Sequence, residues 1–183
     1  MRVLSHRGYW LKPIEKNSKK AITRSLRKGF GVETDIRDCS GTLVVSHDIP
    51  TGSEMKLETL FEITKDFEDL IIALNIKSDG LVKIISELVK RNSVKNYFVF
   101  DMSVPDSITY INEGIPVFTR VSEHEKHPIF YEESEGIWVD SFNYIWFDNK
   151  LIESTLKNGK KICLVSPELH GRDPYEMWDM IDK

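Results

Sequence analysis

The fold of this chain is organised around the stretch Gly31–Ile36, which reads GVETDI. Its apolar residues predict a strand, and Glu33 and Asp35 stand two positions apart within it. Side chains at positions i and i+2 of a strand leave the same face, so both carboxylates point one way. Two acids on one face of an apolar strand repel each other unless a cation lies between them. Oxygen ligands of this kind suit Mg²⁺ or Ca²⁺, so the stretch predicts a site for a divalent cation.

Two histidines stand at the ends of apolar runs. His6 follows the run at residues 3–5, and His47 follows the run at residues 43–46. Both are predicted to lie where a strand gives way to a loop, which is where barrel enzymes carry their chemistry. A histidine pair beside a bound cation can divide acid and base work on a phosphate ester. Each motif alone is common, so the argument depends on three of them in order: HRG at 6–8, ETD at 33–35 and HD at 47–48.

This set of motifs resembles the glycerophosphodiester phosphodiesterase family. The matching segments are His6-Arg7-Gly8, Asn17-Ser18, Gly31–Asp35, Gly41 and Val44–Asp48. The resemblance implies a TIM-type barrel, a divalent cation as cofactor and a histidine pair, His6 and His47, that cleaves a phosphodiester. It covers the first 48 residues well and continues beyond them as a similarity of pattern.

The third metal position departs from the family's pattern. The family has a Glu-x-Lys at the end of a later strand, whereas the corresponding stretch here has Asn75 and Lys77. The resemblance therefore implies Glu33, Asp35 and Asn75 as metal ligands. Arg7 is expected to bind the phosphate, because a guanidinium pairs with phosphate through two hydrogen bonds. Lys77 shares a strand face with Asn75 and is expected to bind a phosphate oxygen. An Asn oxygen can ligate a cation but carries no charge, so we expect weakened cation binding.

Size and charge exclude several classes of protein. At 183 residues the chain is predicted to be one domain, residues 1–183. A net charge of −4 argues against general nucleic-acid binding, and no polybasic run indicates an anionic membrane surface. No apolar run approaches about 18 residues, so we expect no membrane span. No long apolar leader precedes His6, and the isolated Cys39 and Cys163 are typical of a reducing, cytoplasmic setting.

Strand and helix patterns alternate along the chain, which predicts a parallel α/β fold. Helices are predicted from Asn17 or Ser18 to Gly29, over Leu57–Thr64, after a cap at Asp79, from Pro105 to Gly114 with Ile108 and Ile111, and from Asp148 to Gly159. Polar residues stand at the ends of the predicted strands: His6, Glu33 and Asp35, Asn75 and Lys77, Asp101, Arg120, Asp140 and Glu168. In a parallel barrel all these ends lie on one rim, so the pattern favours a TIM-type (β/α) barrel with one active rim.

The strand count predicts that this barrel lacks its last strand. Setting aside the strand before His47 leaves seven predicted barrel strands, whereas a complete barrel has eight and about 250 residues. The chain ends at Asp182-Lys183, where the family's closing strand begins. Unpaired parallel edges favour pairing with another chain. We therefore expect the seam to be covered by the helix Pro174–Ile181 or by a second copy of the chain, as a homodimer.

The predicted function is metal-dependent hydrolysis of a small phosphodiester of the glycerophosphodiester type, which releases an alcohol and a phosphomonoester in lipid metabolism. One histidine is expected to deprotonate the attacking hydroxyl and the other to protonate the leaving alcohol, and the sequence does not say which does which. Glu168 and Arg172 are expected contacts at the rim, for the alcohol part of the substrate. Glu168 is also a candidate for the acid that is lost at position 75.

Two alternative functions stay open at this point. One is a phospholipase-like phosphodiesterase of the same architecture, in which intramolecular attack forms a cyclic phosphate. The other is a barrel that binds phosphate but has lost turnover, through Asn75 and the missing strand. Retention of both histidines and both acids argues against this second alternative.

Overall fold

The computed structural model describes residues 1–182 and divides into two compact units, Met1–Pro116 and Val117–Lys183. Lys183, which ends the predicted domain, lies outside the described residues. The units are described one at a time, and a single domain over residues 1–183 stays a prediction.

The first unit contains a five-stranded sheet. Its parallel strands are, in spatial order, β1 (Leu4–His6), β2 (Gly31–Cys39), β4 (Ile72–Ile76) and β5 (Tyr97–Phe100), and β3 (Thr42–Val45) pairs antiparallel with β2. Residues 31–36 and 72–76 are buried throughout, as expected of strands covered on both faces. The four parallel strands end at one edge of this sheet, which brings their polar carboxyl-terminal residues together.

Four helices belong to the first unit: α1 (Lys19–Arg27), α2 (Leu57–Thr64), α3 (Val82–Asn92) and α4 (Val104–Asn112), with short 3₁₀ turns at Pro13–Glu15 and Lys65–Phe67. Ser18 caps α1, because its hydroxyl accepts a hydrogen bond from the Ala21 N–H at 3.2 Å. Ala21, Ile22 and Leu26 form the buried face of this helix. The predicted helix after residue 17 is therefore confirmed, with Ser18 as its cap.

The second unit contains a three-stranded parallel sheet. Its strands are β6 (Phe118–Val121), β7 (Gly136–Val139) and β8 (Lys161–Leu164), and its helices are α5 (Asn149–Lys157) and α6 (Tyr175–Ile181), with a 3₁₀ turn at Pro167–His170. Asp148 caps α5 as predicted. Met177 of α6 is 2% exposed and packs in a core with Val121, Val139 and Phe147. The last helix therefore covers the sheet of its own unit.

The α/β class and the parallel sheets are confirmed. Within residues 1–182 the structure has seven strands in parallel pairings and one antiparallel strand, β3, which is the strand that the sequence set aside. Closure into a barrel and the missing last strand stay predictions. In this described part of the chain no helix is long and apolar enough to cross a membrane.

Two helix starts differ from the prediction. Asp79 does not cap α3: the helix begins at Val82, and the Asp79 carboxylate accepts a hydrogen bond from Ser103 Oγ at 2.9 Å instead. The α4 helix begins one residue before Pro105, because Ser103 caps it by accepting from the Asp106 N–H. The Asp79 side chain is thus engaged by a residue distant in sequence and α3 has no side-chain cap, whereas α4 takes its cap from Ser103.

The end of β6 also differs from the prediction, and the structure shows which face of α4 is buried. Asp106 and Tyr110 are the buried residues of α4, whereas Ile108 is 44% exposed. Arg120 lies inside β6 and not after it, because this strand runs on to Val121. Helix periodicity alone does not distinguish the two faces when apolar residues lie on both.

Candidate active site

The strand registers bring the predicted site residues together in pairs. His6 at the end of β1 lies opposite Glu33 in β2, and Asp35 in β2 lies opposite Asn75 in β4. In paired strands, directly opposed residues project their side chains to the same face. Glu33 and Asp35 are 3% and 1% exposed, and Asn75 is 8% exposed. Three oxygen-bearing side chains are thus buried side by side next to a histidine.

A tight loop after β1 positions Arg7. The backbone N–H of Arg7 donates to the Glu33 carbonyl at 2.8 Å, and Arg7 has a positive φ of 57°. Gly8 follows with a φ of 80°, and a Cβ there would lie 2.7 Å from a backbone carbon of Ala21. The glycine of the HRG motif is therefore required by the close approach of this loop to α1. A strained, non-glycine residue held in this way is typical of a functional site.

Asp35 lies at the centre of the charged side chains of the candidate site. Its Oδ2 lies 2.9 Å from Arg7 Nε, and its Oδ1 lies 3.4 Å from Lys77 Nζ. Asn17 also donates through Nδ2 to Oδ2 at 2.9 Å. The predicted phosphate-binding residues Arg7 and Lys77 are therefore gathered at one of the predicted metal ligands.

Glu33 is the less compensated of the two acids. Its Oε2 accepts a hydrogen bond from the Arg7 N–H at 3.3 Å and lies 3.8 Å from His6 Nε2. Burial, and then the neighbouring charge of Asp35, raise the pKa of Glu33 to about 8. Burial, and then the charge of Arg7, lower the pKa of His6 to about 4. A cation placed beside this carboxylate would stabilise its ionised form.

The residues present fit a hard divalent cation. Among the described residues Asn75 Oδ1 is buried without a hydrogen-bond partner, and Asp35 Oδ1 accepts no hydrogen bond beside its ion pair with Lys77. A buried polar atom without a partner costs about 1–3 kcal/mol. Within residues 1–182 no three His, Cys, Asp or Glu side chains group closely enough to hold a metal by themselves. The third oxygen here comes from an amide, Asn75, which is the departure that the sequence indicated.

His47 lies in the loop after β3, two residues beyond the end of that strand at Val45. The Ser46 N–H donates to the Asp35 carbonyl at 2.9 Å, so the register fixes the start of this loop beside the site strand. The His47 side chain is 45% exposed, and its Nδ1 lies 2.8 Å from the Asp48 carboxylate. The structure therefore holds His47 next to the site strand, with its ring against Asp48.

The two predicted rim residues lie in the second unit. Glu168 is exposed, and its carboxylate accepts a hydrogen bond from Ser166 Oγ. Arg172 donates a hydrogen bond to the Ser141 carbonyl. Their predicted contact with the alcohol part of a substrate, and the substitution of Glu168 for the acid missing at position 75, stay predictions.

Asn17 is a site residue whose role the sequence did not reveal. It has a positive φ of 59°, accepts a hydrogen bond from Thr34 Oγ1 at 2.8 Å and donates to Asp35. It therefore orients the central carboxylate from the loop before α1. The sequence clue to this residue was its place in the Asn17-Ser18 segment that matches the family. Asn is also one of the few residues that tolerate this backbone conformation.

Fold and site together define a class: a parallel α/β protein with an acidic pair, a histidine and basic residues at the carboxyl ends of its strands. No protein-family model matches the sequence, and no curated protein matches it. Similarity instead comes from solved structures of glycerophosphodiester phosphodiesterases. The resemblance drawn from the motifs is thus confirmed at the level of fold.

One such structure, a glycerophosphodiester phosphodiesterase from Parabacteroides distasonis ATCC 8503, matches with a TM-score of 0.70 and 19% identity, over 99% of this chain and 88% of that one. Another, from Agrobacterium tumefaciens str. C58, matches with a TM-score of 0.67 and 17% identity, over 90% of this chain and 84% of that one. At these identities the similarity establishes a shared fold.

Proposed function

We propose that this chain hydrolyses a phosphodiester of the glycerophosphodiester type in a metal-dependent reaction, releasing an alcohol and a phosphomonoester. The observation that carries the proposal is the buried cluster at the ends of β1, β2 and β4, where His6 lies opposite Glu33 and Asp35 lies opposite Asn75. The shared fold with solved glycerophosphodiester phosphodiesterases supports it.

Glu33, Asp35 and Asn75 would hold the cation, which is Mg²⁺ or Ca²⁺ because all three ligands are oxygens. When bound, it supplies charge stabilisation for a non-bridging phosphate oxygen. Arg7 and Lys77 share the binding of the phosphate. A guanidinium has five N–H donors, and the ion pair of Arg7 with Asp35 uses Nε, so its terminal nitrogens suit a second, phosphate oxygen.

His6 and His47 divide the proton transfers in this proposal. One accepts the proton of the attacking hydroxyl, which belongs to water or to the substrate, and the other protonates the leaving alcohol. His6 stands at the end of β1 beside Glu33, and His47 follows β3 beside the backbone of Asp35. Because the two histidines follow two different strands, they are separate groups that can divide the two proton transfers.

A substrate panel followed by ³¹P NMR tests this proposal. Glycerophosphodiesters with different alcohols are incubated with the protein in Mg²⁺, in Ca²⁺ and in chelator. We expect a phosphomonoester signal that requires the cation, and we expect it to disappear in His6→Ala but not in His127→Ala, whose histidine is exposed in the second unit. A cyclic phosphate as the final product would instead favour the phospholipase-like alternative. No cleavage of any phosphodiester under these conditions would overturn the proposal.

A second candidate function is phosphate binding without turnover. The observation that favours it is the charge balance around Asp35, which already has two cationic partners, while the third ligand, Asn75, is neutral. Inorganic phosphate that binds without any hydrolysis across the substrate panel would select this candidate.

The architectural part of the proposal is a TIM-type barrel without its last strand. The seven parallel strands and the TM-scores of 0.70 and 0.67 support it. A homodimer, a role in lipid metabolism and a cytoplasmic setting stay predictions of the sequence.

A further inference from the structure

A second charged cluster surrounds Asp140, at the end of β7 in the second unit. Asp140 is 4% exposed. Its Oδ1 accepts a hydrogen bond from the Ser141 N–H at 2.9 Å and lies 2.6 Å from His170 Nε2, while Arg120 lies 3.9 Å from its Oδ2. We call these residues, together with Arg172, the Asp140 cluster. A buried carboxylate is thus held by partners from the turn after β7, the turn after β8 and β6.

Asp140 orients the His170 ring. Its carboxylate contacts Nε2, so the ring edge that carries Nδ1 is the one left for other contacts. The His170 ring also packs on the Phe142 ring, with centroids 5.0 Å apart, and the Arg120 guanidinium lies 5.6 Å from the centroid of the Phe142 ring. His170 is therefore oriented from two sides, by a carboxylate and by an aromatic ring.

Arg172 brings a second guanidinium to the same segment. It donates a hydrogen bond to the Ser141 carbonyl, yet its Nε is buried without a hydrogen-bond partner in the described part of the chain. Ser141 Oγ is likewise buried and unpartnered among these residues. A buried polar atom without a partner destabilises the fold, and a charged one does so more strongly. The cluster therefore has more donors than its own acceptors satisfy.

The nearby acids are engaged elsewhere. The Glu123 carboxylate accepts hydrogen bonds from the N–H groups of Phe142 at 3.1 Å and Asn143 at 2.6 Å. Glu168 accepts from Ser166 Oγ. Arg172 Nε and Ser141 Oγ are thus the atoms that no described acid satisfies. A small anion from solution would supply the acceptors that they lack.

We propose that the Asp140 cluster binds the oxyanion group of a small molecule, a phosphate or a carboxylate, through Arg172 and Ser141, beside the ring of His170. The side chains of His170 and Arg120 are 23% and 30% exposed, so a solute reaches the cluster from the surface. Arginine suits both anions because its planar fork matches two oxygens. This site lies within the second unit and does not depend on the function proposed for the first.

The test follows the ring nitrogens of His170 by ¹H–¹⁵N NMR on the full chain, during titration with inorganic phosphate and, separately, with acetate. We expect a saturable shift of the His170 signals with at least one of the two anions. Tighter binding of phosphate identifies a phosphate ester as the ligand class, and tighter binding of acetate identifies a carboxylate. The same response in Lys77→Gln shows that it does not report binding at the first cluster.

Arg172→Gln should weaken the anion about tenfold or more, which corresponds to about 1.4 kcal/mol. Arg172→Lys should retain part of the affinity, since it keeps the charge and loses the fork. Arg91→Gln is the matched control and should change nothing, because Arg91 pairs with Glu58 in the first unit. If Arg172→Gln does not fold, Ser141→Ala and Arg172→Lys carry the test. The proposal is overturned if neither anion shifts His170 saturably, or if folded Arg172 variants bind as the parent does.

Discussion

The two units each bury an aspartate at or near the carboxyl end of a parallel strand, and each surrounds it with basic residues and a histidine nearby. Asp35 is 1% exposed and pairs with Arg7 and Lys77, whereas Asp140 is 4% exposed and pairs with His170 and Arg120. The two clusters differ in which groups are left over. Among the described residues, Arg7 and Asp35 are joined as ions in the first cluster and the Asn75 amide oxygen is left without a partner, whereas Arg172 Nε and Ser141 Oγ are left without one in the second.

This difference teaches that a buried carboxylate does not define a site by itself. Around Asp35 a second acid, Glu33, and the amide oxygen of Asn75 favour a cation as the ligand. Around Asp140 the guanidinium of Arg172 and the hydroxyl of Ser141 favour an anion. The unsatisfied atoms, rather than the residue that the two clusters share, predict the charge of the ligand.

The largest expected effect comes from removing the charge of either acid in the first cluster. Glu33→Gln and Asp35→Asn keep the shape of the side chain and should each lower cation affinity by more than about 100-fold, since even groups that only orient a ligand cost 10–100-fold. Isothermal titration with Mg²⁺ and Ca²⁺ measures this. Asp38→Asn on the same strand is the control, because Asp38 is exposed. Unchanged affinity in both variants would remove the cation from the account.

Loss of either histidine should slow turnover. His6→Ala and His47→Ala should each lower kcat by roughly 10²-fold or more, the usual contribution of general acid–base catalysis. Both variants should melt near the parent's temperature, since each ring is partly exposed. His127→Ala, which changes an exposed histidine of the second unit, should leave kcat as it is. Full activity in both site variants would contradict the assignment of the pair.

Asn75→Glu should move the first cluster further toward cation binding. A carboxylate adds a full charge beside Asp35, and about 1.4 kcal/mol of added attraction already gives tenfold tighter binding. The same titration measures it, with Asn92→Glu as a control at the end of α3, away from the strand ends. Affinity that is unchanged or weaker would mean that residue 75 does not contact the cation.

The smallest effect is a pH dependence of stability in the metal-free protein. Because the pKa of Glu33 is raised to about 8 in the folded state, the folded chain binds its proton more tightly than the unfolded chain does. The free energy of unfolding should therefore rise as the pH falls from about 8 to 6.5, by up to about 1.4 kcal/mol per pH unit. Urea unfolding of the parent and Glu33→Gln in chelator tests this.

The pKa of His6 is lowered from 6.5 to about 4 in the folded state, so His6 reduces the free energy of unfolding only when the pH falls below 6.5. Between pH 6.5 and 8 the change in stability therefore reports Glu33 and not His6. The contribution of Glu33 is fully present below its unfolded pKa and is lost as the pH rises through 8. Parallel curves for the parent and Glu33→Gln across this window would show that Glu33 is ionised in the metal-free fold.

Much of the first cluster was predictable from sequence because its residues lie at the ends of apolar runs. The two-residue spacing of Glu33 and Asp35 fixes a shared face, and parallel pairing then brings His6 and Asn75 beside them. Asn17 was not predictable in its role, because its hydrogen bond to Asp35 depends on a left-handed backbone in a loop. Propensity rules describe such a conformation as tolerated but do not place it.

The second cluster was harder to predict because its members come from separate elements. Asp140 and His170 are 30 residues apart, and Arg120 belongs to a third strand. The sequence indicated polar residues at each strand end but not which of them pair. That pairing depends on register and on the 3₁₀ turn at Pro167–His170, which turns the histidine back toward β7.

The central claim is that the Asp35 cluster uses a divalent cation to cleave a phosphodiester. The most direct measurement is the initial rate of phosphomonoester release from a glycerophosphodiester, in protein stripped by chelator and then titrated with Mg²⁺ or Ca²⁺. The account predicts no turnover without the cation, a saturable return as it is added, and no return in Asp35→Asn. Undiminished turnover in excess chelator would contradict it.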